Sequence, residues 1–294
     1  MKSDNANING IIVINKEKGF TSHDVVAKMR RILGTRKIGH TGTLDPEAAG
    51  VLPVCIGKAT KVCDMILNSD KEYIAEIKFG ITTDTQDIFG NILEEKSVLL
   101  SKGEIENAVM SFEGEIEQIP PMYSAIKVGG KKLCDLARKG IEVERKPRKI
   151  CIYEINILSI TEDSFTIDVK CSKGTYIRTL GFDIGEKLGC GAVMTSLVRT
   201  QSAIFTADSS VKLNDLTPDN YRDFVIPADR LFDYDKIAVK GDVLRKILNG
   251  NSVKFEGISD GKMYRVYDEN GRFLCISYAE DGILKVRKMF YVGE

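Results

Sequence analysis

The sequence contains no apolar run of about 18 residues, so no membrane-spanning helix is expected. Its opening residues, Met1-Lys2-Ser3-Asp4-Asn5, lead into no apolar signal segment. Histidine occurs only at His23 and His40, and there is no Cys-x-x-Cys pair, so a Cys/His zinc site is not expected. The seven cysteines, at 55, 63, 134, 151, 171, 190 and 275, are odd in number and scattered along 294 residues. That pattern does not fit a small disulfide scaffold. These absences describe a reduced, cytoplasmic, metal-free protein with no membrane partner. Neither sign of charge is in excess, with 42 Lys and Arg against 42 Asp and Glu. A uniformly basic coat for nucleic acid is thereby excluded, but a local basic face is not. No internal repeat or low-complexity stretch is present.

What remains is globular composition, 43% hydrophobic and 29% charged, long enough for one large or two ordinary domains. Ile11-Ile12-Val13-Ile14 reads as a strand. Thr21 and Ser22 can cap a helix whose apolar face is Val25, Val26, Met29, Ile32 and Leu33, with Gly34 ending it. Strands are predicted at 72–79, 149–158, 164–171 and 193–204, and helices at 102–112 and 175–188. Strands and helices alternate without a strict βαβ rhythm, which implies a mixed sheet in an α/β or α+β core. Near residue 234 the texture changes. One short helix, Val239–Leu248, precedes strands at Met263–Tyr267, Phe273–Tyr278 and Ile283–Val286, the pattern of a small β-barrel.

The neutral total hides an asymmetry. Residues 125–149 carry nine basic and three acidic side chains, net +6, whereas 82–118 carry net −7. Either run could be a solvated face. The basic one is also punctuated by Gly129-Gly130, Gly140 and Pro147, as suits an arm that grips a phosphate backbone.

The most informative stretch is Gly39-His40-Thr41-Gly42-Thr43-Leu44-Asp45-Pro46-Glu47-Ala48-Ala49-Gly50-Val51-Leu52-Pro53-Val54. Pro46 disfavours helical backbone at Asp45, and three glycines permit tight turns. Two readings of Asp45 are open: a reactive carboxylate on a rigid loop, or an N-cap with Pro46 at the first helical position. Gly50 and Pro53 leave room for barely one helical turn.

This segment resembles the signature of the bacterial-type tRNA pseudouridine-55 synthases, the TruB family. Further stretches are similar in the same order: Gly10–Ser22, Lys71-Glu72-Tyr73, Gly80–Asp87, Pro120–Lys127, Gly174-Thr175-Tyr176-Ile177-Arg178 and Met194–Thr200. The resemblance spans residues 10–200 and implies an α+β fold, a mixed-sheet catalytic core with a small C-terminal PUA-like β-barrel. It places the catalytic domain at 1–233, with a basic RNA-gripping insertion at about 120–149, and the RNA-binding module at 234–294. It implies isomerisation of uridine to pseudouridine at position 55 in the TΨC loop of tRNA, with no cofactor, by a monomer needing no obligate protein partner. Atoms balance in that reaction without donor or acceptor.

The resemblance also implies roles. Asp45 is the essential carboxylate, whether it attacks C1′, stabilises positive charge there or assists removal of a ribose proton while N1–C1′ breaks and C5–C1′ forms. Arg178 pairs with it and fixes its direction. Tyr73 stacks on the target base and can move the C5 proton. Leu197 walls the uracil pocket, His40 fills space left by everted bases, Asp87 contacts the target loop, and Lys16 and Tyr176 frame the cleft. Lys127, Lys131, Lys132, Arg138, Lys139, Lys146 and Arg148 grip the RNA. Competing readings are a tRNA-binding or folding chaperone, a guide-RNA-dependent pseudouridylation subunit, and a sugar-cleaving hydrolase. The last would need a partner carboxylate that nothing marks.

Overall fold

A computed structural model describes residues 8–291, so the opening residues Met1–Asn5 lie outside the described part. In chain order the elements begin with β1 (Gly10–Lys16), α1 (Ser22–Leu33), β2 (Ile38–His40), β3 (Ala49–Ile56), α2 (Cys63–Leu67), β4 (Lys71–Phe79), β5 (Ile81–Thr83) and β6 (Ile92–Glu95). Next come α3 (Lys102–Met110), β7 (Gly114–Gln118), β8 (Lys127–Val128), β9 (Lys131–Lys132), α4 (Leu133–Ala137), β10 (Arg148–Ile160), β11 (Ser164–Cys171) and α5 (Ile177–Lys187). The chain finishes with β12 (Ala192–Ser202), β13 (Phe205–Thr206), β14 (Val211–Lys212), β15 (Asp235–Val239), α6 (Gly241–Leu248), β16 (Val253–Lys254), β17 (Met263–Asp268), β18 (Phe273–Glu280) and β19 (Ile283–Met289).

The first strand explains the layering. Its residues are buried on both sides, so a continuous apolar run replaces the alternation of a half-exposed strand. Ile12 and Ile14 face a core shared with α1, α3 and α5, while Ile11 and Val13 face a second core. The main sheet runs β14-β1-β3-β12-β4-β11-β10-β7, with β13 on β12 and β2 on β3. The β1–β14 and β3–β12 pairs are parallel and the other pairs antiparallel, a mixed sheet in an α+β fold. Helix α1 starts at a capping box between Thr21 and Asp24 and stops at Gly34, whose φ of 64° needs no Cβ.

A separate five-stranded sheet, β15-β17-β18-β19-β16, forms the C-terminal module. It curls around its own core of Ile237, Val266, Leu274 and Leu284, as in a PUA-like module. One local expectation is corrected. Val239 ends a strand parallel to β17, and the helix begins only at Gly241, because Gly241 adopts a φ of 55° that breaks the chain direction. The second core welds the module to the main sheet through Phe232, Ile276 and Phe290. Among the described residues all seven cysteines are free, and no helix is long and apolar enough to cross a membrane.

Candidate active site

Asp45 lies on the irregular segment between β2 and β3. Ala48 N–H donates to the Asp45 carbonyl at 3.1 Å, closing a turn rather than opening a helix. The segment is pinned on both sides of the carboxylate. On one side Leu44 is buried, its N–H donating to Ser22 Oγ at 2.9 Å while that hydroxyl donates back to the Leu44 carbonyl at 3.2 Å. On the other side the Pro46 carbonyl accepts from Gly19 N–H at 2.9 Å and from Lys16 Nζ at 3.0 Å. Lys16 also donates to the carbonyls of Glu17 and Phe20. Its ammonium is wholly buried, so it underpins the loop from below rather than lining the open cleft. Burial lowers its pKa to about 8, against the opposing pull of Glu47 and Asp45.

Arg178 is the second residue of α5. Its Nε lies 3.2 Å from Asp45 Oδ2, and Nη1 lies 3.3 Å from Asp87 Oδ2. Nη1 also donates to the Thr85 carbonyl at 3.1 Å, and Nη2 to the Tyr123 carbonyl at 3.0 Å. One planar fork thus ties together the Asp45 loop, the β5–β6 turn and the root of the basic arm. The start of α5 is itself clamped. Gln118 Nε2 donates to the Tyr176 carbonyl at 3.0 Å, and Tyr176 N–H donates to Gln118 Oε1 at 2.8 Å.

Tyr73 stands on β4, half-buried, opposite Arg199 of β12. Burial pushes its phenol pKa up, Arg199 pulls it down, and the charge of Asp45 adds to the rise. Leu197, buried in the main core, pairs with Ala75 two residues along the same face. Tyr176 feels the charges of both Arg178 and Asp45, and burial raises its pKa. His40 ends β2 with its ring edge-on to His23 at 5.3 Å, and its Nδ1 is buried without a hydrogen bond. Burial, then His23 and Arg199, lower its pKa, so the imidazole is neutral near pH 7.

The basic arm is a separate surface. Met122, Leu133 and Leu136 form its small core. Lys127, Lys131, Lys132, Arg138 and Lys139 line one groove of about 620 Å³. Lys146 and Arg148 are exposed outside it.

The structure therefore places Asp45 and Asp87 each in direct contact with Arg178, with Tyr73 and Tyr176 within electrostatic reach of Asp45. An exposed carboxylate held by one buried guanidinium can act at an electrophilic carbon of a substrate.

Family models account for almost all of the chain. Residues 30–177 match "TruB family pseudouridylate synthase (N terminal domain)". Residues 178–233 match the tRNA pseudouridylate synthase B C-terminal domain, and 236–290 the C-terminal part of pseudouridine synthase II TruB. The chain belongs to the TruB family of pseudouridine synthases. This TruB-family chain is 47% identical over 289 residues to a tRNA pseudouridine synthase B of Clostridium kluyveri, covering 96% of itself and all of that protein. It is 48% identical to one from Clostridium novyi, covering 96% and 99%. Among solved structures it resembles a chain of a Cbf5-Nop10-Gar1 complex with a TM-score of 0.72 at 29% identity, covering 96% of this chain and 85% of that one. A chain of an H/ACA RNP bound to a substrate RNA gives a TM-score of 0.72 at 26% identity, covering 98% and 86%.

Several residues that build the site of this TruB-family chain escaped sequence reasoning. Arg199 is 1% exposed; its Nε donates to the Val51 carbonyl at 2.7 Å and its Nη2 to the Gly42 carbonyl at 3.3 Å. Ser22 reads as a helix cap, yet Thr21 caps α1 and Ser22 holds Leu44. Gln118 closes an acidic run and carries no signal of its own. The only local hint for Arg199 was a lone charge inside an otherwise uncharged strand.

Proposed function

We propose that the protein converts uridine 55 in the TΨC loop of tRNA to pseudouridine, acting on bare tRNA as a cytoplasmic monomer. The observation that carries this reading is the Asp45–Arg178 ion pair, an accessible carboxylate on a loop pinned from both sides. The names of the full-length relatives support the substrate. The lysine-lined groove supports a grip on its backbone. We assign 1–233 to catalysis and 234–294 to an RNA-binding module. The family models change over between 233 and 236, and a separate sheet begins at Asp235, which supports that division.

The target uridine is turned out of its loop at a cost of roughly a few kcal/mol. Asp45 acts at C1′, either adding to it or countering positive charge there. The N1–C1′ pair leaves with N1, the freed base turns, and C5 joins C1′. The C5 proton is lost and N1 regains one, so nothing is consumed. Tyr73 lies against the base and moves the C5 proton. Arg178 orients Asp45, and Asp87 orients Arg178. Leu197 and Tyr176 wall the pocket, and His40 serves as a neutral shape-filling ring. Lys16 is a positioning residue beneath the loop. Water is kept out so that the freed base is not lost to hydrolysis.

The test uses purified protein and a tRNA transcript tritiated at C5 of uridine. Tritium release from bare tRNA, with one pseudouridine at position 55, is expected. Asp45→Asn should bind the tRNA and release none. A second reading, the catalytic subunit of a guide-dependent particle, draws on the likeness to a chain solved within an H/ACA RNP. Binding without release by the wild-type chain would favour it, and full activity of Asp45→Asn would remove the catalytic assignment.

A further inference from the structure

The turn between β5 and β6 holds an aromatic ring out in solvent. Phe89 is 62% exposed, beside the exposed Ile88, Ile92 and Leu93. A mobile loop tip would carry such residues at little cost, but this turn is tightly built. Asn91 N–H donates to Asp84 Oδ1 at 2.8 Å and Asn91 Nδ2 to Asp84 Oδ2 at 2.9 Å. Ile88 N–H donates to the Met194 carbonyl at 2.9 Å, and Met194 N–H to the Gln86 carbonyl at 3.2 Å, so β12 grips the turn. A Cβ on Gly90 would stand 2.2 Å from Thr85 Oγ1 and 2.5 Å from Asp84 Oδ1, so a side chain there would displace the hydroxyl and carboxylate that brace the turn. Gln86 adopts a φ of 64°, a strained conformation that the surrounding bonds impose.

The ring is tied to the reaction centre by one carboxylate. Phe89 N–H donates to Asp87 Oδ1 at 3.1 Å, while Asp87 Oδ2 lies 3.3 Å from Arg178, which holds Asp45. The Phe89 backbone is therefore three polar contacts from the Asp45 carboxylate. Among the described residues no ring or cation stacks on it. The β6 side chains nearest the turn are the exposed, apolar Ile92 and Leu93, which offer a phosphate neither a donor nor a positive charge. An exposed π-face on a firmly held turn, flanked by apolar side chains and tied to the Arg178–Asp45 pair, suits the flat face of a base rather than a backbone.

We propose that Phe89 stacks on an unpaired nucleobase of the RNA substrate next to the flipped uridine, and so helps to hold the loop open. This rests on the reading above that the substrate is an RNA loop. It assigns to the 84–91 turn a direct recognition role besides supporting Arg178.

Two measurements test it. Phe89→Ala should raise KM for tRNA about 10-fold with kcat little changed; Phe89→Tyr should restore KM and Phe89→Leu should not, since stacking needs a ring. Thermal unfolding should be unmoved, because the side chain is exposed. The chain has no tryptophan, so Phe89→Trp introduces a single reporter. In a background of Asp45→Asn, its fluorescence should be quenched by tRNA and remain unquenched with fully paired duplex RNA. An unchanged KM in Phe89→Ala with an unquenched indole, while the wild type still releases tritium, overturns the stacking role. That result would assign the apolar turn to a protein partner. Persistent quenching with no tritium release from the wild type would instead overturn the proposed reaction and leave the stacking contact standing.

Discussion

Asp45 and Arg178 meet at 3.2 Å with very different exposures, 43% for the aspartate side chain and 7% for the arginine. The guanidinium is buried and the carboxylate it holds is not. This asymmetry lets the carboxylate reach a substrate while its orientation is set from inside the fold. Arg178 spends its remaining donors on Asp87 and on the carbonyls of Thr85 and Tyr123. Three segments distant in sequence therefore share one rigid cation.

Replacing that cation tests the arrangement. Arg178→Lys keeps the charge but cannot serve Asp45, Asp87 and two carbonyls at once. We expect kcat to fall by about 10²–10³ with a smaller change in tRNA affinity. Arg178→Ala should in addition lose ~3–5 kcal/mol of stability, because Asp87 and two carbonyls are left without their partner. Urea unfolding and single-turnover kinetics read the two effects separately. Near-wild-type turnover by Arg178→Lys would show that the fork geometry is dispensable.

Much of this centre was legible because its signals are local. Thr21 and Gly34 bracket α1 as their chemistry implies, with Asp24 completing the capping box in the structure. The Asp45-Pro46 pair and its glycines mark an irregular loop, and the structure has one there. The pairing of Asp45 with Arg178 came from the family resemblance, since nothing in either residue's surroundings names a partner 133 positions away. Arg199, Ser22 and Gln118 were illegible for a physical reason. They satisfy backbone groups 148, 22 and 58 residues away, and which buried carbonyl lacks a partner is decided only once the sheet is assembled. Strands of two or three residues, such as β2 and β16, carry too little pattern to read. At Val239 the apolar periodicity ran across a strand end and a helix start, and Gly241 decides between them.

Lys16 makes stability and activity respond to pH in opposite directions. Burial lowers its pKa from 10.5 to about 8. Between pH 8 and 10.5 the unfolded chain binds a proton that the folded chain has released, so this group's contribution to stability rises with pH across that window. The cost of keeping the buried charge is fully present below pH 8. Activity should move the other way. A neutral amine has only two N–H donors for the carbonyls of Glu17, Phe20 and Pro46, so the Asp45 loop loses part of its footing. We expect kcat at saturating tRNA to decline from pH 7.5 to 9. Lys16→Met should be slower throughout and lack this decline. A wild-type profile that stays flat over the range would remove Lys16 from loop positioning.

Gly50 of β3 pairs with Arg199 of β12. Its φ is 104°, and a Cβ there would stand 2.2 Å from the Arg199 carbonyl oxygen. Gly50→Ala must push the parallel β3–β12 pair apart, and Arg199 with it. We expect a loss of at least ~2 kcal/mol, read as a fall in Tm of roughly 4–8 °C. Turnover should fall too, since Arg199 supports Gly42 at the start of the Asp45 loop. An unchanged Tm would mean that the strand contact yields easily.

The basic arm makes a quantitative prediction about salt. Lys127, Lys131 and Lys132 sit on the two short strands of an exposed hairpin, and among the described residues none of them pairs with an acidic side chain. Arg138 and Arg145, by contrast, already have Asp135 and Glu142 beside them. The free lysines can take up phosphates without first breaking an ion pair, so they should dominate the electrostatic part of tRNA binding. Each phosphate they neutralise contributes about 0.7–0.9 to the slope of log Kd against log salt. The double substitution Lys131→Ala with Lys132→Ala should therefore lower that slope by roughly 1.5, raise KM, and leave kcat near the wild-type value. Because the hairpin is exposed, unfolding should shift by less than about 0.5 kcal/mol, which separates lost binding from lost structure. A slope that does not change would show that these two ammonium groups stay in solvent when tRNA is bound, and the grip would then have to come from Lys127, Arg138, Lys139, Lys146 and Arg148.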